Sequence, residues 1–331
     1  LELALTWLNR ILFLKLLESQ LIQYNHGDYG QAFLHTEKIP DFDILQELFF
    51  EVLALQPQER RASIQEKYGH IPYLNSSLFE PGKLEKATIK VNQLKHHIPL
   101  PLYAKTVLKD GQGSRLQGTK PLLAYIFEFL DSYDFSGDHK AQLQARGKSI
   151  INPAVLGLIF EKINGYQEGS FFTPGYVTMY ISRETIRQAV VWKFRKSGLP
   201  GFDNVQDIKG LYNQLGKISL EKANAVFNSV KICDPAVGSG HFLVSALNEL
   251  LALKSELGIL ADRQGKLLRH TYCEVQNDEL YITHHGELFA YDKRDKEGQR
   301  IQETFFYEKQ QLIEQSLFGV DINPNAVHIC R

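Results

Sequence analysis

Val230-Lys231-Ile232-Cys233-Asp234-Pro235-Ala236-Val237-Gly238-Ser239-Gly240-His241-Phe242-Leu243 carries three structural signals in succession. Val230, Ile232 and Cys233 form a short apolar run that reads as a strand, and it passes directly into a proline- and glycine-containing turn. Beyond the turn, Leu243, Ala246, Leu247, Leu250 and Leu253 recur at helical spacing. A second short apolar run, Leu317-Phe318-Gly319-Val320, ends at Asp321. Strand, glycine turn, helix and strand is the opening of a parallel α/β sheet.

That order places Gly238 and Gly240 at the carboxyl edge of the sheet, where small residues leave backbone room and free N–H groups for a nucleoside ligand. The third glycine of a dinucleotide fingerprint would fall on Leu243, and the Lys-Ser or Lys-Thr of a P-loop is absent, so phosphate binding is disfavoured. Asp234 at the first strand end suits a ligand with a cationic amine. Asp321 at the next strand end is placed to accept hydrogen bonds from ribose hydroxyls. Together the two acids suggest S-adenosylmethionine. The same spacing also fits an ordinary α/β turn in which the glycines permit tight packing and Asp234 caps the helix.

Asp234-Pro235-Ala236-Val237-Gly238-Ser239-Gly240-His241-Phe242-Leu243 resembles the first cofactor motif of adenine-N6 DNA methyltransferases. Upstream, Gly169-Ser170-Phe171-Phe172-Thr173-Pro174 is similar to the segment that closes over the methionine end of the cofactor in that group. Its lead-in, Leu156-Gly157-Leu158-Ile159-Phe160-Glu161, looks like the family's preceding helix. Downstream, Leu317-Phe318-Gly319-Val320-Asp321-Ile322-Asn323-Pro324 resembles the second cofactor motif, whose acid holds the ribose. The resemblance is strongest from about Leu156 to Arg331. The style of the chain is similar to large fused restriction-modification enzymes, often called type IIG, in which a nuclease region precedes the helices and a target-recognition region follows the methyltransferase.

The resemblance implies a Rossmann-like methyltransferase sheet that binds S-adenosyl-L-methionine through Phe172, Thr173, Pro174, Asp234, Pro235, Ala236, Gly238, Ser239, Gly240, Phe242, Asp321, Ile322 and Asn323. In that scheme Asp234 faces the cofactor amine, Asp321 holds the ribose and Ile322 packs on the adenine. His241 lies outside the expected set, because the equivalent family position varies in type. The implied reaction is methyl transfer to adenine N6 in double-stranded DNA. A modification subunit of a multi-subunit, type I-like restriction system shares the same motifs. A DNA-interaction protein with a relic cofactor pocket is a third reading.

The sequence departs from the family pattern in two places. The crossover from Asp234 to Asp321 far exceeds the dozen or so residues that a parallel connection needs. It contains Glu279-Leu280-Tyr281-Ile282-Thr283 and Glu287-Leu288-Phe289-Ala290-Tyr291 around His284-His285-Gly286, which read as an inserted β-hairpin. The insertion is expected over about 258–312, outside the sheet, with 292–300 as a solvated charged loop. The second departure concerns catalysis. The family's Asn/Asp-Pro-Pro-Tyr/Phe tetrapeptide, which grips a flipped-out adenine, is missing: Ile151-Asn152-Pro153-Ala154 and Asn323-Pro324-Asn325-Ala326 lack the second proline and the aromatic residue. The catalytic strand is therefore expected beyond Arg331, and no residue of this chain is assigned a catalytic role.

Residues 1–165 read as a helical domain and 166–331 as the cofactor-binding half of a methyltransferase domain. Leu5, Leu8, Ile11, Leu12 and Leu16 mark one buried helical face. Pro40 and Asp41 open a second run through Leu45, Leu48, Phe49, Val52 and Leu53. Further helices are expected at Leu122–Leu130 and Val155–Ile163. Gly111, Gly113 and Gly118 follow no strand and mark a surface loop. Pro40-Asp41-Phe42-Asp43 offers acids for a nuclease, but the following residues read as a helix and not as the strand such a site needs. The pairs His96-His97 and His284-His285 read as surface histidines, since sequence neighbours splay apart, so no metal site is assigned.

With 331 residues and 44% hydrophobic composition the chain can fill two cores, given that single cores stop growing near ~250–300 residues. Its 37 basic and 38 acidic residues give a net charge of −1, so any contact with DNA must be local or lie elsewhere. Cys233, Cys273 and Cys330 form neither a disulfide framework nor a zinc pattern. With no apolar run of membrane-spanning length and no signal-peptide pattern, the expected location is the cytoplasm. The chain begins at Leu1, not Met, and stops at Arg331 just after a strand end and the start of a helix, so both ends are expected to be cut.

Overall fold

The computed structural model describes residues 1–25, 27–74, 77–135, 149–151, 155, 159, 162, 173–198, 202–213, 219–292 and 294–330. Contacts divide the chain into two units, Leu1–Asn164 and Gly165–Cys330. The architecture is mixed α/β, with helices dominating and the strands short.

In the first unit α1 (Glu2–Tyr24) buries Trp7, Ile11, Leu12 and Leu14. α2 (Phe42–Glu47) starts where the Asp41 carboxylate accepts the Ile44 N–H at 2.9 Å, the N-cap bond that satisfies an orphan donor of the first turn. It continues into a π-helical turn, Leu48–Leu53. Leu45, Leu48, Phe49, Val52 and Leu53 are completely buried, each contributing roughly 1.5–3 kcal/mol of apolar burial. α3 (Ala62–Tyr68) and α4 (Lys83–Ala87) follow. β1 (Pro99–Pro101) pairs antiparallel with β2 (Thr119–Pro121), with the exposed glycine loop between them. α5 (Leu122–Asp131) comes next, and β3 (Tyr133–Asp134) pairs parallel with β4 (Ser149–Ile150). The helix expected at Val155–Ile163 falls largely outside the described residues.

One charged group is central to this unit's core. Arg10 of α1 donates through Nη1 and Nη2 to the two Glu85 carboxylate oxygens at 2.8 and 3.0 Å, while Trp7 Nε1 donates to the same carboxylate at 2.7 Å. The Arg10 guanidinium also lies over the Phe49 and Phe50 rings.

The second unit contains α6 (Gly175–Lys196), α7 (Val205–Asn213), α8 (Leu220–Asn228), β5 (Ile232–Asp234) and α9 (His241–Leu257). Then come β6 (Thr271–Gln276), β7 (Glu279–His284), β8 (Glu287–Leu288), α10 (Lys296–Ser316), β9 (Leu317–Gly319) and α11 (Pro324–Cys330). β5 and β9 pair in parallel, with Ile232 opposite Leu317 and Asp234 opposite Gly319. The core gathers Ile186, Val190 and Phe194 of α6, Phe227 of α8, Leu250 and Leu253 of α9, Cys273 of β6, and Ile301, Phe305 and Leu312 of α10. Burial pushes the Cys273 thiol up to about 12, so it behaves as a small apolar side chain.

Two boundaries differ from the sequence reading. β6 pairs along its whole length with β7, so the inserted sheet has three strands and spans 271–288, within the wider 258–312 expected. α10 is not part of an outlying insertion. Its buried face closes the core and it runs directly into β9. The charged run 292–300 is correspondingly only partly loop. Asp295 accepts the Glu297 and Gly298 N–H groups at 3.0 and 2.9 Å, which starts α10 at Lys296.

Candidate cofactor site

The turn between β5 and α9 is built from backbone constraints that its residue types meet one by one. The ladder extends past the strands: Val320 N–H donates to the Asp234 carbonyl at 2.9 Å, and Val237 N–H to the Val320 carbonyl at 3.0 Å. Asp234 Oδ1 accepts the Ala236 N–H at 3.0 Å, a side-chain turn that bends the chain away from the strand. Gly238 and Gly240 then adopt φ values of 53° and 90°, the left-handed region that costs a side-chain-bearing residue energy. At Gly240 a Cβ would also lie 2.8 Å from Cys330 Sγ. Gly240 is the N-cap residue of α9, so the helix's first N–H groups face the turn.

Asp321 ties this turn to the end of β9. One carboxylate oxygen accepts the Gly238 N–H at 2.8 Å, and the other accepts the Asn323 N–H at 2.8 Å. Each oxygen keeps a lone pair for a further donor. Asn323 is buried and its Oδ1 accepts the Ala326 N–H at 3.3 Å. Ile322, between them, is 92% exposed.

The expected residues thus fall into groups. Asp234, Ala236, Gly238, Asp321 and Asn323 are joined by the bonds just described. Pro235 is exposed, while Ser239 and Phe242 are half-buried. Thr173 is half-buried, and Pro174 precedes α6, its carbonyl accepting the Val177 N–H at 2.8 Å. A Cβ on Gly175, the next residue, would lie 3.8 Å from His241 Nε2. The Thr173-Pro174 segment therefore ends beside the first residue of α9. Phe172 lies outside the described residues.

Two neighbours of this site, His241 and Asp278, were not in the expected set. Asp278 lies in the β6–β7 turn, and its Oδ2 is 3.3 Å from His241 Nε2. Ser245 Oγ donates to the same oxygen at 2.8 Å, and Thr178 Oγ lies 3.0 Å from Ser245 Oγ. Burial pushes the Asp278 carboxyl up, opposed by the Ser245 bond and by His241. Burial pushes His241 down, against the pull of Asp278. Both shifts favour the neutral forms, a pattern found at functional sites and in structural networks alike. The signal available in the sequence was Asn277-Asp278 between two alternating apolar runs, which is hairpin-turn chemistry.

At the opposite end of the hairpin, a pocket of about 650 Å³ is lined by Lys266, Arg269, His270, His284, His285 and Arg300, among others. His285 stacks on His270 with ring centroids 4.8 Å apart. Among the described residues no group of three or more His, Cys, Asp or Glu side chains is arranged to hold a metal ion, and no helix is long and apolar enough to cross a membrane.

Residues 1–151 match a family described as a domain of unknown function, DUF7814. Over 310 residues, 84% of its length, the chain is 28% identical to a protein of Methanocaldococcus jannaschii provisionally named a type II restriction enzyme and methyltransferase. Over 142 residues, 43% of its length, it is 25% identical to DNA methyltransferase A of Bacillus subtilis. The matched regions cover 24% and 15% of those two proteins, so the chain spans about a quarter or less of each. No solved structure matches.

Proposed function

We propose that this chain is the cofactor-binding part of an S-adenosyl-L-methionine-dependent DNA methyltransferase of a restriction-modification system, acting in the cytoplasm on adenine N6 in double-stranded DNA. The observation that carries the proposal is the Asp234–Gly240 turn at the carboxyl ends of two parallel strands, pinned through Gly238 to Asp321. The names of the two relatives support the same reading.

The residues present fit the cofactor. Asp321 keeps acceptor capacity for ribose hydroxyls, and exposed Ile322 offers an apolar surface to the adenine. Left-handed Gly238 and Gly240 let the ligand approach the backbone closely. Asp234, Pro235, Ala236, Ser239 and Phe242 shape the turn, and Asn323 holds the segment after β9. Thr173 and Pro174, with Phe172, would wall the methionine end. When bound, the cofactor supplies an electrophilic methyl group on its sulfonium sulfur. The protein's part in this chain is to bind and orient that group. Gripping the adenine falls to the Asn/Asp-Pro-Pro-Tyr/Phe tetrapeptide, which this sequence does not contain. In this reading β5 and β9 belong to a wider Rossmann-like sheet.

The experiment is label transfer from methyl-tritiated cofactor to duplex DNA by the full-length protein, followed by hydrolysis and chromatography of the bases. Label in N6-methyladenine supports the proposal. Label in a cytosine product would overturn the adenine assignment, and an unlabelled duplex would overturn the enzymatic one.

A further inference from the structure

The β6–β7 turn places Asp278 beside Gly175, which follows the Thr173-Pro174 segment proposed to wall the methionine end of the cofactor, and beside His241, which follows Gly240. Asn277 and Asp278 have φ values of 51° and 66°, the left-handed pair that a two-residue hairpin turn requires. α9 holds the turn in place: Asn248 Nδ2 donates to the Asp278 carbonyl at 3.0 Å, and Ser245 Oγ donates to Oδ2 at 2.8 Å. The Asp278 side chain is only 7% exposed. Its other oxygen, Oδ1, is buried without a hydrogen-bond partner among the described residues. A buried acceptor without a donor is costly, more so when charged, and such a group calls for a specific explanation.

The surroundings supply one. On one side stands His241, which follows Gly240 directly, and on the other Gly175, which follows Thr173-Pro174. Gly175 carries no side chain, and a Cβ there would sit 3.5 Å from Asp278 Oδ2 and 3.8 Å from His241 Nε2. The glycine leaves a methyl-sized gap against the pair. An ammonium group has three N–H donors, so Asp234, which the sequence reading places at the cofactor amine and whose Oδ1 accepts the Ala236 N–H, leaves donors for a second acid.

We infer that Asp278 is a cofactor-binding residue whose Oδ1 accepts the α-ammonium group of the methionine moiety. The inference rests on the S-adenosylmethionine reading of the site. An ammonium group supplies the missing donor and stabilises the ionised carboxylate against the burial that disfavours it. It also gives the inserted hairpin a reason to reach back to the head of α9.

The test is isothermal titration of the full chain with three ligands: S-adenosylmethionine, S-adenosylhomocysteine and 5′-methylthioadenosine. The third shares the adenosine and the thioether but lacks the amino-acid group. Asp278→Asn should weaken the first two by about 10- to 150-fold, the range for a hydrogen bond to a charged group, and leave methylthioadenosine binding unchanged. Asp278→Gly, which removes the carboxylate and suits the left-handed φ of this turn position, should act in the same direction, and it decides the matter if Asp278→Asn fails to fold by thermal melting. Unchanged affinity for all three ligands would overturn the assignment. An equal loss of all three in a folded variant would overturn it too and make Asp278 a structural anchor. If the unmodified chain binds none of the three, the cofactor reading itself fails and the Asp278 assignment falls with it.

Discussion

Asp321 joins architecture and chemistry in one side chain. Its two oxygens accept the Gly238 and Asn323 N–H groups, so it shapes the turn before any ligand arrives and leaves a lone pair on each oxygen for one. Asp321→Ala removes two charge-assisted bonds, each worth roughly 1.5–3 kcal/mol. The expected outcome is S-adenosylmethionine binding weakened at least ~10-fold by titration. Unchanged affinity would count against both the ribose assignment and the tether. Gly240 shows the complementary constraint, since its positive φ and the nearness of Cys330 Sγ both exclude a side chain.

At the scale of elements, Asp41 is explained as the N-cap of α2. Asp41→Ala should lower stability by about 1 kcal/mol, read as a lower denaturation midpoint with an unchanged slope; no loss would remove the cap from the account. The turn from β5 into α9 was legible in the sequence because its determinants are local: a β-branched and apolar run, two glycines and a leucine stripe. Asp321 was legible for the same reason, as the acid ending the next strand. β6 carries an alternating pattern, Thr271, Cys273 and Val275 on one face, but it is short, and the sequence reading sets residues 287–291 across the turn from 279–283, where the structure pairs Glu279–His284 chiefly with Thr271–Gln276. The start of α10 escaped notice because its first turn, Lys296-Glu297-Gly298-Gln299, has no apolar side chain, and the apolar face of Ile301, Phe305 and Leu312 begins later. Asp278 and His241 could not be linked from the sequence, since their meeting depends on the hairpin folding back onto α9. That is tertiary information, which local pattern does not carry.

For the molecule as a whole, each unit has its own stabilising devices. The first depends on a buried ion pair. Burial pushes the Glu85 carboxyl up, but the bonds from Arg10 and Trp7 outweigh it and hold the group below its ordinary value of 4.5. A pKa depressed on folding stabilises above the unfolded value and loses that effect as pH falls through the folded one. Glu85→Gln should therefore destabilise the protein by about 3–5 kcal/mol at neutral pH, because it leaves Arg10 buried and uncompensated. The difference from the unmodified protein should shrink below pH 4.5, as followed by denaturant unfolding at stepped pH. A difference independent of pH would contradict this assignment.

The second unit carries the central claim, that the turn between β5 and α9 binds S-adenosylmethionine. The net charge of −1 across the chain gives no broad electrostatic attraction for DNA, so cofactor binding is the more direct readout. The decisive measurement is isothermal titration of the chain with S-adenosylmethionine, with NADH as the control ligand. The account predicts saturable binding of S-adenosylmethionine alone. Binding of NADH, or of neither ligand, would contradict it.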